Sequence, residues 1–240
     1  MKKLFSVLVL LNAISILSIA QTPLTDTNLQ LQYDLGGDRH YITSTLEMFH
    51  PDSWGSTFFF VDLDYNFKDA SGRNVGAGGT YMEIARCLNF WSDSALKDLS
   101  LQVEYNGGLG ALAGGYTVNH AFLAGVNYCI HNSSFSNTLN LEVLYKKFAG
   151  LDQKVPLQFT AVWGLQNIFG VPGLKFSGFA DLWWEGNRAI FISEPQLWYN
   201  IGRFFSCPNL NVGGEVELSN NFAGYSGFAC RPCLGFKWVF

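Results

Sequence analysis

The sequence predicts an all-β fold, a single transmembrane antiparallel β-barrel of about 12 strands, set behind a short leader. Three observations predict it. The last eight residues, Cys233-Leu-Gly-Phe-Lys-Trp-Val-Phe240, put Leu234, Phe236, Trp238 and Phe240 on one side of an extended strand. Cys233, Gly235, Lys237 and Val239 fall on the other, and a strand with one oily and one wetter face ending in Phe suits the closing strand of an outer-membrane barrel. Charged residues make up only 14% of the chain against 16% aromatics, and mean hydropathy is +0.12, well below the charge of an ordinary water-soluble domain. Yet residues 21–240 hold no unbroken apolar run long enough for a membrane helix. Apolar character must therefore be spread through short alternating pieces.

The leader comes first. Lys2 and Lys3 precede an apolar run from Leu4 to Ile19, and Ser18-Ile19-Ala20 offers small residues where a signal peptidase reads, with Gln21 next. Residues 1–20 are thus expected to be a signal peptide, and residues 21–240 the outer-membrane barrel. No Cys follows the cleavage point, which argues against a lipid anchor there.

Each strand is justified by alternation in turn. Asn28–Asp34 sends Leu29, Leu31 and Tyr33 outward and Gln30, Gln32 and Asp34 inward. His40–Phe49 follows less cleanly. Phe58–Tyr65 turns Phe59, Val61, Leu63 and Tyr65 out and Phe58, Phe60, Asp62 and Asp64 in. A loop at Lys68–Gly79 leads to Tyr81–Phe90. Leu99–Asn106 alternates without error, Leu99, Leu101, Val103 and Tyr105 against Ser100, Gln102, Glu104 and Asn106, which excludes an amphipathic helix. A glycine-rich loop, Gly107–Val118, precedes His120–His131. Thr138–Phe148, Pro156–Gln166, Leu174–Glu185, Ala189–Ile201, Leu210–Leu218 and Tyr225–Phe240 complete the count. An even number places both ends of the barrel in the periplasm, with the loops Lys68–Gly79 and Ser219–Gly224 outside the cell. A closed sheet leaves no backbone edge unsatisfied in lipid.

The inward faces carry the chemistry. They project Glu47, Asp62, Asp64, Glu83, Glu104, Glu142, Asp181, Glu185, Glu194, Glu215 and Glu217 against Lys146, Lys175, Arg231 and Lys237. A charge facing lipid near the bilayer centre costs a few kcal/mol, so these groups must point into the lumen, where most hydrate and cross-pair. Phe58 and Phe60 alternate with Asp62 and Asp64, and Phe179 and Trp183 with Asp181 and Glu185. Rings beside carboxylates can stack a planar base while polar neighbours hold a sugar or an exocyclic amine; they can also simply fill a narrow lumen. The candidate solute-binding residues are Phe58, Phe60, Asp62, Asp64, Glu83, Glu104, Phe179, Asp181, Trp183, Glu185, Glu215 and Lys237. Outward Tyr33, Tyr65, Tyr105, Tyr145, Trp163 and Trp184 suit the interfacial girdles.

Other chemistries are excluded or weak. A net charge of −4 with no basic run argues against nucleic acid polymers. No phosphate-binding glycine loop, dinucleotide fingerprint or zinc spacing occurs, so no cofactor and no metal are expected. Cys87, Cys129, Cys207, Cys230 and Cys233 are odd in number, and a three-residue spacing on a strand points Cys230 and Cys233 to opposite faces. They read as wall residues with at most one disulfide. A hydrolase would need a nucleophile beside one of His40, His50, His120 and His131. Ser133 and Ser134 lie just beyond His131, and that cluster reads as a solvated loop; the chain is expected not to be an enzyme.

The chain resembles the nucleoside-specific channel-forming (Tsx-like) outer-membrane proteins. The likeness rests on Leu29-Gln-Leu-Gln-Tyr33 with Phe58-Phe-Phe-Val-Asp-Leu-Asp-Tyr65, on Tyr81-Met-Glu-Ile84, and on Phe179-Ala-Asp-Leu-Trp-Trp-Glu185 with Leu234-Gly-Phe-Lys-Trp-Val-Phe240. It covers most of residues 21–240 as pattern and strand order. The resemblance implies a monomeric 12-stranded barrel whose narrow pore, lined by aromatic and ionisable residues, passes nucleosides. The expectation is a passive channel for small polar solutes in the cell outer membrane. Its partners would be outer-membrane lipids, the barrel-assembly machinery through the strand ending at Phe240, and the solutes. The alternatives are a structural or adhesive barrel with a closed lumen, and an outer-membrane hydrolase.

Overall fold

Strand pairing returns to its starting point. The computed structural model describes residues 25–37, 39–110 and 119–240. The expected signal peptide and most of the Gly107–Val118 loop lie outside them, whereas residues 107–110 extend a strand. In chain order the strands are β1 (Asp26–Asp34), β2 (Ile42–Asp52), β3 (Gly55–Asp64), β4 (Phe67–Lys68), β5 (Asn74–Gly76), β6 (Gly79–Leu88), β7 (Leu99–Gly110) and β8 (Ala121–His131). They continue as β9 (Asn137–Phe148), β10 (Leu157–Gln166), β11 (Leu174–Glu185), β12 (Arg188–Ser193), β13 (Gln196–Tyr199), β14 (Leu210–Asn220) and β15 (Phe228–Val239). β4 and β5 form a separate ribbon within the loop between β3 and β6, an element not expected from the sequence.

β12 and β13 are two halves of one wall strand. Both keep the same register on β11 and on β14. Pro195 sits between them; its carbonyl accepts from Val216 N–H at 3.1 Å, but it has no N–H to return. The expected single strand Ala189–Ile201 is therefore interrupted in its ladder without leaving the wall. Counting the halves as one, the structure is a closed antiparallel barrel of 12 strands, since β1 pairs with β15 and every neighbour around the ring is antiparallel. No α-helix occurs among the described residues, and no helix there is long and apolar enough to cross a membrane.

Alternation decides which face is which. On β1, Gln30 is 1% exposed while Leu31 is 49% exposed. The same contrast sets Gln102 and Glu104 inside against Leu101 and Val103 outside on β7, and Glu142 and Lys146 inside against Leu141, Val143 and Tyr145 outside on β9. The barrel is an inverted globule. Its outer belt of exposed apolar side chains includes Ile84, Phe122, Val126, Phe159 and Phe236, far more contiguous apolar surface than a protein in water leaves uncovered. That belt is the lipid-facing surface of a transmembrane barrel.

Both ends of the described barrel lie together, where Phe240 N–H donates to the Thr27 carbonyl at 2.9 Å. The connections after β1, β3, β9 and β14 lie at the opposite end. Strand limits shift by a few residues from expectation: β2 runs to Asp52 rather than Phe49, β3 starts at Gly55 rather than Phe58, and β15 starts at Phe228 rather than Tyr225. Hairpin turns at Ser53–Trp54 and 186–187 are too short to carry the polar punctuation that marks longer loops.

Candidate lumen site

The registers bring the sequence-predicted side chains onto the inner face of the barrel, on two opposite walls. Gln30 pairs with Thr45, Thr45 with Asp62, and Asp62 with Tyr81. Phe60 faces Glu83, which faces Asn106. On the other wall, Thr160 pairs with Asp181, Asp181 with Ile192, and Gln196 with Glu215. Every one of the predicted residues therefore projects inward, because each is an even number of positions from a buried inward neighbour.

They do not form one cluster. Asp62, Glu83 and Glu104, on β3, β6 and β7, form an acidic arc near mid-barrel. Asp181 and Glu215, with Glu194 between them, form another on β11, the β12–β13 strand and β14. Three wall strands separate the arcs on one side and three on the other, so they face each other. The two arcs feel one another: Asp181 is within electrostatic reach of Glu83 and Glu104, and Asp62 of Glu215 and Glu194. Phe58 and Lys237 lie toward the end holding Phe240, while Asp64 and Glu185 lie toward the other. Glu185 is exposed at the β11–β12 hairpin and accepts Trp183 Nε1–H at 3.1 Å.

Local hydrogen bonds hold the carboxylates in place. Thr45 Oγ1 donates to Asp62 at 2.5 Å, and Thr160 Oγ1 to Asp181 at 2.5 Å. Gln102 and Asn106 donate to Glu104 at 3.0 and 3.1 Å, and Gln196 donates to Glu215 at 2.9 Å. The lumen cations are tied elsewhere. Lys175 bridges the lumen floor to Asp26 at 2.9 Å, joining β11 to β1. Arg231 bonds Glu217 at 2.6 Å, and Arg39, from the β1–β2 loop, bonds Glu217 at 2.9 Å and Asp34 at 3.3 Å. Lys146 donates to Gln158 at 2.6 Å and lies 4.1 Å from the Trp183 ring centroid, while Lys237 lies 4.6 Å from that of Trp198.

The aromatic residues divide by side. Phe58, Phe60 and Tyr81 form a ladder, with centroids 5.9 and 5.6 Å apart, and all three keep partial solvent contact. Trp183 instead is 6% exposed and belongs to an inner apolar cluster with Ala121, Leu123, Leu144, Phe148, Ile190 and Ile192. Phe179 packs at its edge. The ring ladder on β3 and β6 is therefore wet, and the apolar cluster around Trp183, drawn from β8, β9, β11 and β12, is dry. The sequence reading missed Tyr81 as a lumen ring and missed Trp198, which is 1% exposed; their strict inward register was the available signal.

The other candidates are placed just as plainly. All five cysteines are free thiols; Cys230 is exposed on the outer face and Cys233 points inward. His131 Nε2 meets Asp98 at 3.1 Å and its Nδ1 meets the Asn132 carbonyl at 2.8 Å, so neither ring nitrogen is open to Ser133 or Ser134. His120 is bonded to the Tyr105 hydroxyl at 2.5 Å, and His50 to Thr25 at 3.1 Å. No group of three His, Cys, Asp or Glu suited to a metal occurs among the described residues.

The barrel is similar in shape to a membrane protein from a study of in-meso crystallization, with a TM-score of 0.46, 10% identity, and coverage of 90% of this chain and 83% of that one. It is similar to a mutant porin of Rhodopseudomonas blastica, with a TM-score of 0.38, 13% identity, and coverage of 90% and 99%. The outer membrane channel DcaP of Acinetobacter baumannii gives a TM-score of 0.31, 11% identity, and coverage of 90% and 96%. No curated protein matches the sequence. Residues 26–240 match the family described as Domain of unknown function (DUF5020), and the chain belongs to that family.

Proposed function

We propose that this chain is an outer-membrane channel through which small polar solutes diffuse, with nucleoside-like molecules as favoured cargo. One observation carries the reading: a closed wall, apolar outside, encloses carboxylates and aromatic rings that keep solvent contact at mid-barrel, among them Phe60, Glu83 and Asp181. Residues 1–20 act as the export leader, outer-membrane lipid surrounds the belt, and the barrel-assembly machinery reads the strand ending at Phe240. The Phe58–Phe60–Tyr81 ladder supplies faces for a flat ring, and the adjacent acids accept from hydroxyl or amino groups.

Protein without residues 1–20, reconstituted in planar bilayers, is expected to give discrete current steps. Liposome swelling should be faster with nucleosides than with sugars or amino acids of similar size, and Phe60→Ala should abolish that preference. Equal swelling with all three solute classes would remove the nucleoside preference. A second reading, a structural barrel with a closed lumen, is favoured by the dry cluster around Trp183; absence of current from well-folded protein would select it.

A further inference from the structure

Cations approach the two facing carboxylate arcs without pairing with them: Lys237, in electrostatic reach of Glu215, instead donates to Gln196 at 3.3 Å and lies over the Trp198 ring. Among the described residues, none of Asp62, Glu83, Glu104, Asp181, Glu194 and Glu215 forms an ion pair. The carboxylates of Glu83 and Glu194 accept no hydrogen bond there either, and both side chains retain solvent contact. The nearest cation on the first arc's side is Lys146, within electrostatic reach of Glu83, Glu104 and Asp181, but its ammonium is committed to Gln158 and the Trp183 ring. Arg39, in reach of Glu194, is committed to Asp34 and Glu217.

A second observation points the same way. Gln32 is 4% exposed, and its Oε1 finds no donor although it is buried. Its amide group is turned to Gln30 and Glu215, which leaves an acceptor oxygen beside the acidic arc. A buried acceptor without a donor is a missing hydrogen bond. Beside Glu83, on the other arc, stands the Phe60–Tyr81 pair, whose ring faces attract cations.

Resting on the channel reading, we infer that mid-barrel is a charge filter that holds and passes small organic cations: an ammonium group lies between the arcs while a flat apolar body rests on the Phe58–Phe60–Tyr81 ladder. Solutes bearing an amine are favoured over neutral solutes of the same shape, and anions are rejected.

The test is ionic current through the reconstituted barrel under a KCl gradient, with benzylammonium chloride and benzyl alcohol as a matched pair of probes. Wild type is expected to show a cation-selective reversal potential and partial block by millimolar benzylammonium but not by benzyl alcohol. Glu83→Gln and Glu194→Gln, isosteric and off the ion-paired network, should each weaken block about tenfold and shift the reversal potential toward zero; Phe60→Ala should weaken block while leaving the reversal potential in place. Currents that are anion-selective or unselective in wild type, or equal block by both probes, would overturn the filter and leave the channel standing. Folded protein that carries no current would overturn the channel reading and the filter with it.

Discussion

Individual residues show how tightly the wall is drawn. Gly235, on the closing strand, lies opposite Gly213 and Gln32, and a Cβ built there would sit 2.1 Å from the Leu31 carbonyl oxygen. No real carbon stays at that distance, so β15 or β1 would have to move at the seam that closes the ring. Gly235→Ala is expected to cost roughly 2 kcal/mol, read as a lower urea midpoint for unfolding in lipid vesicles. Asp69, in the turn between β4 and β5, is a contrasting case outside the membrane. Hydrogen bonds from the Ser71 hydroxyl, the Arg73 backbone and the Arg73 guanidinium lower its carboxyl to about 2. A depressed pKa means the turn is supported above the ordinary carboxylate value and loses that support as pH falls toward 2. Amide exchange in residues 69–73 should stay slow relative to their neighbours at pH 4 and rise only near pH 2. A rise already complete at pH 4 would show that these hydrogen bonds do not hold the turn.

At the scale of the strand, period-two alternation is a strong constraint because a one-residue slip would put every charge into lipid. Val103, 52% exposed at the middle of β7, faces hydrocarbon, and its neighbour Gln102, 3% exposed, faces the lumen. Val103→Arg is expected to destabilise the barrel by about 2–4 kcal/mol, measured by the same vesicle unfolding, whereas an isosteric Gln102→Glu should mainly perturb the bonds to Glu104 and Glu142. Equal tolerance of both would contradict the assignment of faces. This is also why β9 was legible in the sequence almost to the residue and β7 from Leu99 to Asn106, short of its end at Gly110, and why Glu104, Glu142 and Lys146 could be placed inside without coordinates. β2 was blurred because Thr43, Ser44 and Thr45 are all polar, so Ser44 interrupts the lipid face that Ile42, Leu46 and Met48 mark. The two-residue β4–β5 ribbon has no alternation to read. What alternation cannot give is height. Whether Asp181 meets Glu104, or Lys175 meets Asp26, depends on the stagger summed around the whole ring, and no single strand encodes that sum.

Across the whole molecule, the lumen is asymmetric, and the asymmetry assigns different work to rings that look alike in sequence. Phe60 and Trp183 are both inward rings next to an inward carboxylate in aromatic–acid alternations. In the barrel Phe60 lies on the wet wall, touching Phe58 and Tyr81, whereas Trp183 is 6% exposed, with Phe222 edge-on at 5.9 Å and the Lys146 ammonium over its ring. In the proposed channel, a solute passing the solvated ladder would meet the first ring and not the second. Trp183→Ala should therefore cost stability, about 3–5 kcal/mol as for other large-to-small changes in a packed interior, with little change in single-channel current. Phe60→Ala should do the reverse, changing current amplitude while the urea midpoint barely moves. If Trp183→Ala enlarged the current and Phe60→Ala did not, solutes would be crossing on the side of β8–β12, and the dry cluster would be a plug displaced during transport rather than a fixed part of the wall.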